Sequence, residues 1–311
     1  MAGKQAFDRE VTRRGFLGMG VAAGGAVVLA DELALAAGEK TDVWVLHGTV
    51  KKKLMDAALK VIADNGGFGK SVKKLTLKIN AAWWSTPEQG GNTNPELADT
   101  FLKGCRGQGI KQLVMPENPV QPAEKTFPQS GLLAVAKSNG VPMIDLKSDE
   151  KLFKEVEIPK GKRLKKVVVA KDFLETDALV NMPVAKHHGG AGLTICMKNW
   201  MGAVATDVRR FFHRNDLHQC IADFSTFIKP NWAIVDATRI MLDRGPRGPS
   251  KNMKKLDLLI VSKDQVAADI YTATLFPEQT AGRAKHLKIA TEMKLGTTDF
   301  SQMAIHKIEV S

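Results

Sequence analysis

Two stretches of this chain concentrate lysine, asparagine and histidine where those groups could bind an anion and move a proton. The first is Lys78-Ile79-Asn80, which ends a run that reads as a strand. A loop holding Trp83, Trp84, Gly90, Gly91, Asn92, Thr93 and Asn94 follows it. In parallel α/β sheets the ligand crevice lies beyond the carboxyl ends of the strands, so Lys78 and Asn80 would point into it. Asn94-Pro95 then opens a helix whose first backbone N–H groups suit an anion, or are simply capped by Asn94. The second stretch runs from Asn181 to Gly202 and holds Lys186, His187, His188, four glycines, Lys198 and Asn199. It leaves a strand through Pro183 and enters what reads as a loop, where glycine lets backbone come close to a ligand. Lys78, Lys186 and Lys198 would neutralise a carboxylate or phosphate, while Asn80, Asn94 and Asn199 fix its orientation. His187 or His218 would carry the proton, since imidazole titrates near neutral pH.

Two further segments add carboxylates and histidines. His213 and His218 stand five residues apart, which is not the i, i+4 spacing of a helical zinc pair. They serve either as metal ligands with groups from elsewhere or as substrate and acid–base groups. Asp236 follows the apolar run Trp232 to Val235 and reads as a strand-end group. As a catalytic candidate it would orient a histidine or serve as a base; otherwise it would hold a cation or cap the next helix. Asp264 reads as a helix cap, and Asp269, among apolar neighbours, as buried and paired. For a divalent metal the candidate ligands are His188, His213, Asp223 and Asp269. Adjacent side chains diverge in regular structure, so His187 and His188 could share one metal only in a loop.

The elements that must position these groups alternate along the chain. Strands are expected at 42–47, 72–80, 112–115, 141–146, 166–170, 178–181, 232–236 and 256–261, with an edge strand at 304–310. Helices are expected at 50–64, 94–107, 132–137, 217–228, 265–275 and 281–295. The expected fold is therefore α/β, with a mainly parallel sheet flanked by helices and the site at the carboxyl ends of the strands. Lys160 to Lys166 reads as a surface hairpin or a subdomain seam.

The 311 residues carry 45 Lys plus Arg against 33 Asp plus Glu, a formal charge of +12. With 44% apolar and 25% charged residues the chain is globular rather than disordered. Three cysteines exclude a disulfide scaffold, and also an iron–sulfur cluster held by four thiolates of this chain alone. Nucleic-acid binding is not expected, because the basic runs are scattered and aromatics are only 6%. Near the N-terminus, Arg13-Arg14 precedes an uncharged stretch from Leu17 to Ala30 and the small-x-small sequence Ala34-Leu35-Ala36. This resembles a twin-arginine (Tat) export signal over residues 1–36. Its apolar run is shorter than the ~20 residues of a spanning helix, so it is either cleaved near Ala37 or kept as a membrane anchor. The resemblance implies the Tat export machinery as a partner, a periplasmic or extracytoplasmic location, and one α/β domain over residues 37–311. Residues 1–36 hold four basic and four acidic groups, which leaves the whole +12 on that domain.

The order of motifs carries a second resemblance. Lys78-Ile79-Asn80, Thr93-Asn94-Pro95-Glu96, Asn181 to His188, Leu193-Thr194 and Lys198 to Gly202 come first. His218 with Ile221-Ala222-Asp223, Ile234-Val235-Asp236, Gly245-Pro246 with Gly248, and Ser262-Lys263-Asp264 with Ala267 and Asp269 follow. In this order the pieces resemble the domain-of-unknown-function 362 family over about residues 70–275. Many of its members carry a ferredoxin-like Cys-rich segment, which implies redox work; Cys105, Cys196 and Cys220 lack that spacing. The functional expectation is an exported enzyme, or former enzyme, that binds a small anionic ligand. The alternative is a non-catalytic periplasmic accessory or metal-binding protein serving a redox system.

Overall fold

The computed structural model describes residues 40–248 and 253–311. The segment read as an export signal, with its cleavage site, lies outside the described residues. Among the described residues no helix is long and apolar enough to cross a membrane.

The core is a ten-stranded sheet. Its strands are β1 (Thr41–His47), β2 (Lys74–Ile79), β3 (Gln112–Glu117), β4 (Met143–Asp145), β7 (Ala178–Met182), β8 (Val184–His188), β9 (Gly192–Thr194), β10 (Trp232–Met241), β11 (Met253–Ser262) and β12 (Met303–Glu309). A separate hairpin pairs β5 (Phe153–Glu157) with β6 (Lys166–Ala170). The order is β12-β1-β11-β10-β7-β2-β3-β4, with β8 paired to β10 and to β9. Along that path only β11 runs against the rest, so the sheet is mainly parallel as expected. The chain steps outward from β2 to β3 to β4, whereas β7 lies on the other side of β2 and leads toward β10. The direction of winding therefore reverses between β2 and β7. A crevice opens beyond the strand ends at such a point.

Helices cover both faces. Successive side chains of a strand point to opposite sides, and β1 shows the result. Val43 and Val45 join one apolar cluster, Trp44 and Leu46 the other. On the second side pack α1 (Lys51–Asp64), α2 (Pro95–Gly107), α3 (Ala123–Gln129) and α4 (Leu132–Ser138). The first side holds α5 (Cys196–Asn199), α6 (Thr206–Arg214), α7 (Leu217–Phe227), α8 (Gln265–Ala273), α9 (Glu278–Gly282) and α10 (Lys285–Glu292). Asn94 caps α2, its side chain accepting from Glu96 N, and Asp264 caps α8, accepting from Val266 N and Ala267 N.

Four expectations change. Asp236 is not at a strand end but inside β10, which runs on to Met241. The first half of β10 pairs with β7 and the second with β8, because Pro183 breaks one long strand into two. His187 and His188 lie on β8, paired with β9, rather than in a loop. The C-terminal helix expected over 281–295 is two shorter ones, α9 and α10. The β8–β9 hairpin presses on the break, and a Cβ at Gly192 would stand 2.4 Å from Ala284 N. Finally β5, α3 and α6 had no counterpart in the reading of the sequence.

The Lys-rich segment 160–166 lies in the turn of the β5–β6 hairpin and ends on the first residue of β6. Asp223 on α7 holds it, its Oδ2 accepting from Arg163 N at 2.6 Å and Leu164 N at 2.9 Å. Asp223→Ala leaves these N–H groups without their acceptor and should destabilise the protein by about 1–3 kcal/mol. Chemical denaturation would measure this, and protease cleavage should concentrate within residues 158–165.

Candidate functional site

A cavity of about 550 Å³ opens at the carboxyl ends of β2 and β3, walled by β8, β9, α5 and α6. Its floor is a chain of buried polar groups. Lys78 Nζ donates to Glu117 Oε2 at 2.9 Å and to the Ile79 carbonyl. Asn199 Oδ1 accepts from Asn80 Nδ2 at 2.8 Å and from Lys78 Nζ at 3.4 Å. Asn80 Oδ1 in turn accepts from Lys186 Nζ at 2.8 Å, and Lys186 also donates to the Gly91 carbonyl. Asn199 Nδ2 reaches Asn181 Oδ1 at 2.8 Å. Each of these side chains is at most 6% exposed.

Local sequence explains how they meet. Lys78 sits on β2, whose even and odd positions are both covered, so the basic–apolar alternation does not mark a solvated face. Asn80 is held just past that strand, its N–H donating to Thr93 Oγ1 at 2.8 Å while Thr93 Oγ1 donates to Met182 O at 2.7 Å. Lys198 and Asn199 ride on the single turn α5. Asp269 of α8 holds its start, accepting from Cys196 N at 2.7 Å and Met197 N at 2.9 Å. Burial pushes the Asp269 carboxyl up to about 7. Gly202 lies against the ion pair: a Cβ there would be 1.9 Å from Glu117 Oε1 and 2.8 Å from Lys78 Nζ.

Among the described residues, six cationic side chains line the cavity: Lys147, Lys186, Lys198, Arg209, Arg210 and Arg214. The lining carboxylate, Glu117, is already engaged by Lys78 and by Ala81 N. Lys198 differs from the other two lysines. It is 9% exposed and has no hydrogen-bond partner among the described residues. Burial, with Arg209 nearby, brings its amine down to about 7. Burial also holds Lys186 well below the ordinary lysine range, with the Lys198 charge adding to the effect. Thr194 Oγ1 is likewise buried without a partner.

His188 faces this cavity as a neutral donor. Its Nδ1 accepts from Gly190 N at 3.1 Å and Ala191 N at 3.0 Å, so in the neutral ring the proton sits on Nε2. Burial and the surrounding cations drive its pKa far down, which keeps the ring uncharged. His213 stacks on it, with ring centroids 6.3 Å apart.

The cavity lining thus includes Asn80, Lys186, His188, Lys198, Asn199 and His213. Lys78 belongs to the buried floor and is not in the lining. His187 points to the other side of β8, where its Nδ1 accepts from Gly245 N at 3.1 Å. His218 lies against His286 instead, with ring centroids 5.6 Å apart. Asp236 accepts from Asn94 N, Thr238 N and Thr238 Oγ1 inside the sheet, which makes it a clamp on the β2–α2 loop. The candidate metal ligands do not gather. His188 and His213 face the cavity while Asp223 and Asp269 hold backbone N–H groups, and no cluster of three such donors exists among the described residues. Glu117, Lys147, Thr194, Arg209, Arg210 and Arg214 were not foreseen. For the arginines a signal existed: Val208 and Phe212 at i, i+4 mark α6 as amphipathic.

Lys78→Met leaves Glu117 buried without its counter-charge and should cost about 3–5 kcal/mol. Adding Glu117→Gln should return most of it. Urea unfolding of the two variants would show this, and equal losses in both would contradict the ion-pair account.

Comparison with known proteins places this chain. It is 21% identical over 218 residues to the thylakoid-associated protein sll1697 of Synechocystis sp., covering 66% of this chain and 64% of that protein. The chain thus spans a little under two thirds of that relative. Among solved structures, the lactate racemase apoprotein from Thermoanaerobacterium thermosaccharolyticum superposes with a TM-score of 0.48 at 12% identity, over 71% of this chain and 54% of that one. A Thermotoga maritima protein gives 0.47 at 13%, over 78% and 60%. The family model described as "Domain of unknown function (DUF362)" matches residues 75–274, which include the floor of the cavity, α5 and α6, and the chain belongs to that family.

Proposed function

We propose that the protein is an enzyme that holds a small anionic substrate in this cavity and moves a proton on it. Lys198 acts as the base and the His188 Nε2–H as the polarising donor. One observation carries the reading: among the described residues, a nearly buried amine without a partner faces a cavity whose cations outnumber its carboxylates. Buried cations without counter-charges are costly, so the arrangement favours an anion from outside. A base whose pKa lies near neutrality suits proton abstraction, and a neutral imidazole suits hydrogen bonding to an oxygen that gains charge. Arg210 and Arg214 at the exposed rim would draw the anion in. Export by the Tat route is part of the proposal, supported by Arg13-Arg14 and the uncharged stretch behind them.

Oxalate, which does not titrate near neutral pH, is a suitable probe. Lys198 is lowered to about 7, so an anion that pairs with its ammonium form takes up a proton above that pH. Calorimetry should show affinity falling as pH rises from about 6.5 to about 8.5, approaching tenfold per unit. Lys198→Met should weaken binding by about 10–100-fold and flatten that slope. Binding that ignores both the substitution and the pH would reject the site. For export, the N-terminus of protein made in Tat-competent cells should begin near Ala37, and an unprocessed N-terminus in the cytoplasm would count against it.

A further inference from the structure

We infer that Lys198 forms an imine with the carbonyl carbon of a 2-oxo carboxylate bound in this cavity. The inference rests on the anion-binding reading above, names its substrate class, and gives the Lys198 amine the role of nucleophile in place of free base. Four lysines converge here, but three are committed, Lys147 by donating to the Val120 carbonyl at 3.1 Å. Lys78 is spent on Glu117, Ile79 O and Asn199, and Lys186 on Asn80 and Gly91 O. Lys198 has no acceptor among the described residues, lines the cavity and is nine-tenths buried. A nucleophilic amine needs this condition: its lone pair is not tied up and its ammonium form is not stabilised by a neighbouring carboxylate. Burial and the Arg209 charge hold the amine near 7, so a substantial fraction is neutral at physiological pH.

The rest of the cavity fits the same ligand. A carboxylate suits the arginines of α6, and a carbonyl oxygen suits the His188 Nε2–H, whose tautomer the β8–β9 turn fixes. Thr194 Oγ1, buried and unpartnered, offers another hydroxyl. The volume of about 550 Å³ accommodates a small molecule rather than a polymer.

The step balances without any redox partner. The Lys198 nitrogen attacks the carbonyl carbon, one of its protons moves to the oxygen, and a carbinolamine results. The C–O bond then breaks, the oxygen leaves with one further proton from solvent as water, and a protonated imine remains. Its positive charge offsets the ligand carboxylate, so the occupied cavity gains no net charge. When a proton passes from the adjacent carbon to water, the C–H electron pair forms a carbon–carbon double bond and the iminium π pair moves to nitrogen, leaving a neutral enamine.

The test uses the full chain with 2-oxobutanoate and cyanoborohydride, followed by peptide mass spectrometry. A reduced adduct at Lys198, well above that at exposed lysines such as Lys52 and Lys60, and suppressed by excess oxalate, is the expected result. Lys198→Arg should lose that adduct while circular dichroism reports an intact fold. Oxalate binding without a selective adduct overturns the imine and leaves the anion site standing. No oxalate binding and no adduct overturns both, and labelling spread evenly over surface lysines also rejects the imine.

Discussion

The structure turns on a charge problem at the carboxyl ends of the sheet. Lys78 and Lys186 are both buried there, within Coulombic reach of each other, and one carboxylate, Glu117, stands against them. Ammonium groups stay charged in a protein interior only when ion pairs and hydrogen bonds replace water. Glu117 answers for Lys78. Asn80 Oδ1 and the Gly91 carbonyl receive Lys186, and Asn199 Oδ1 receives Asn80 and Lys78, so each of these side chains finds an acceptor. This network fixes what may surround it. Gly202 can bear no side chain without striking Glu117, and Gly91 would place a Cβ 2.5 Å from Ser85 Oγ.

The carboxylates near the site are used to hold backbone. Asp269 holds the start of α5, Asp236 the loop before α2, Asp223 the β5–β6 turn and Asp264 the start of α8. None of them neutralises the cations of the cavity. The same residues therefore serve two ends: they order the loops, and by being occupied they leave the crevice electropositive. A ligand that brings its own negative charge completes the arrangement, which is the physical basis of the functional reading. Lys198 stands apart because α5 places it over the network without giving it a partner.

Much of this was legible in the residues. Periodicity located most strands and helices, since a sheet covered on both faces needs continuous apolar runs and its helices need an apolar stripe. Asn94-Pro95 and Asp264 announced helix starts through capping chemistry alone. Lys78, Asn80, Lys186, Lys198 and Asn199 stood out by type and by position near strand ends, and the cavity or its floor contains all five. Local sequence did less well where long-range pairing decides. His187 and His188 are neighbours in sequence, but β8 pairing with β9 turns them to opposite sides, and only His188 reaches the cavity. Asp236 resembled a strand-end acid until the second half of β10 found β8 to pair with.

The chain's residues alone thus determined an α/β fold with a lysine- and asparagine-rich site at the strand ends, because hydrophobic period and capping are local properties. Tertiary structure decided the roles. Glu117 comes from a segment far from the motifs, and Arg209, Arg210 and Arg214, though near His213 in sequence, reach the site only because winding reverses between β2 and β7 and α6 folds over the opening. Burial, which no single residue reports, separates three similar lysines. One is locked in an ion pair, one is held by amide and backbone oxygens, and Lys198 is left with its amine facing the cavity.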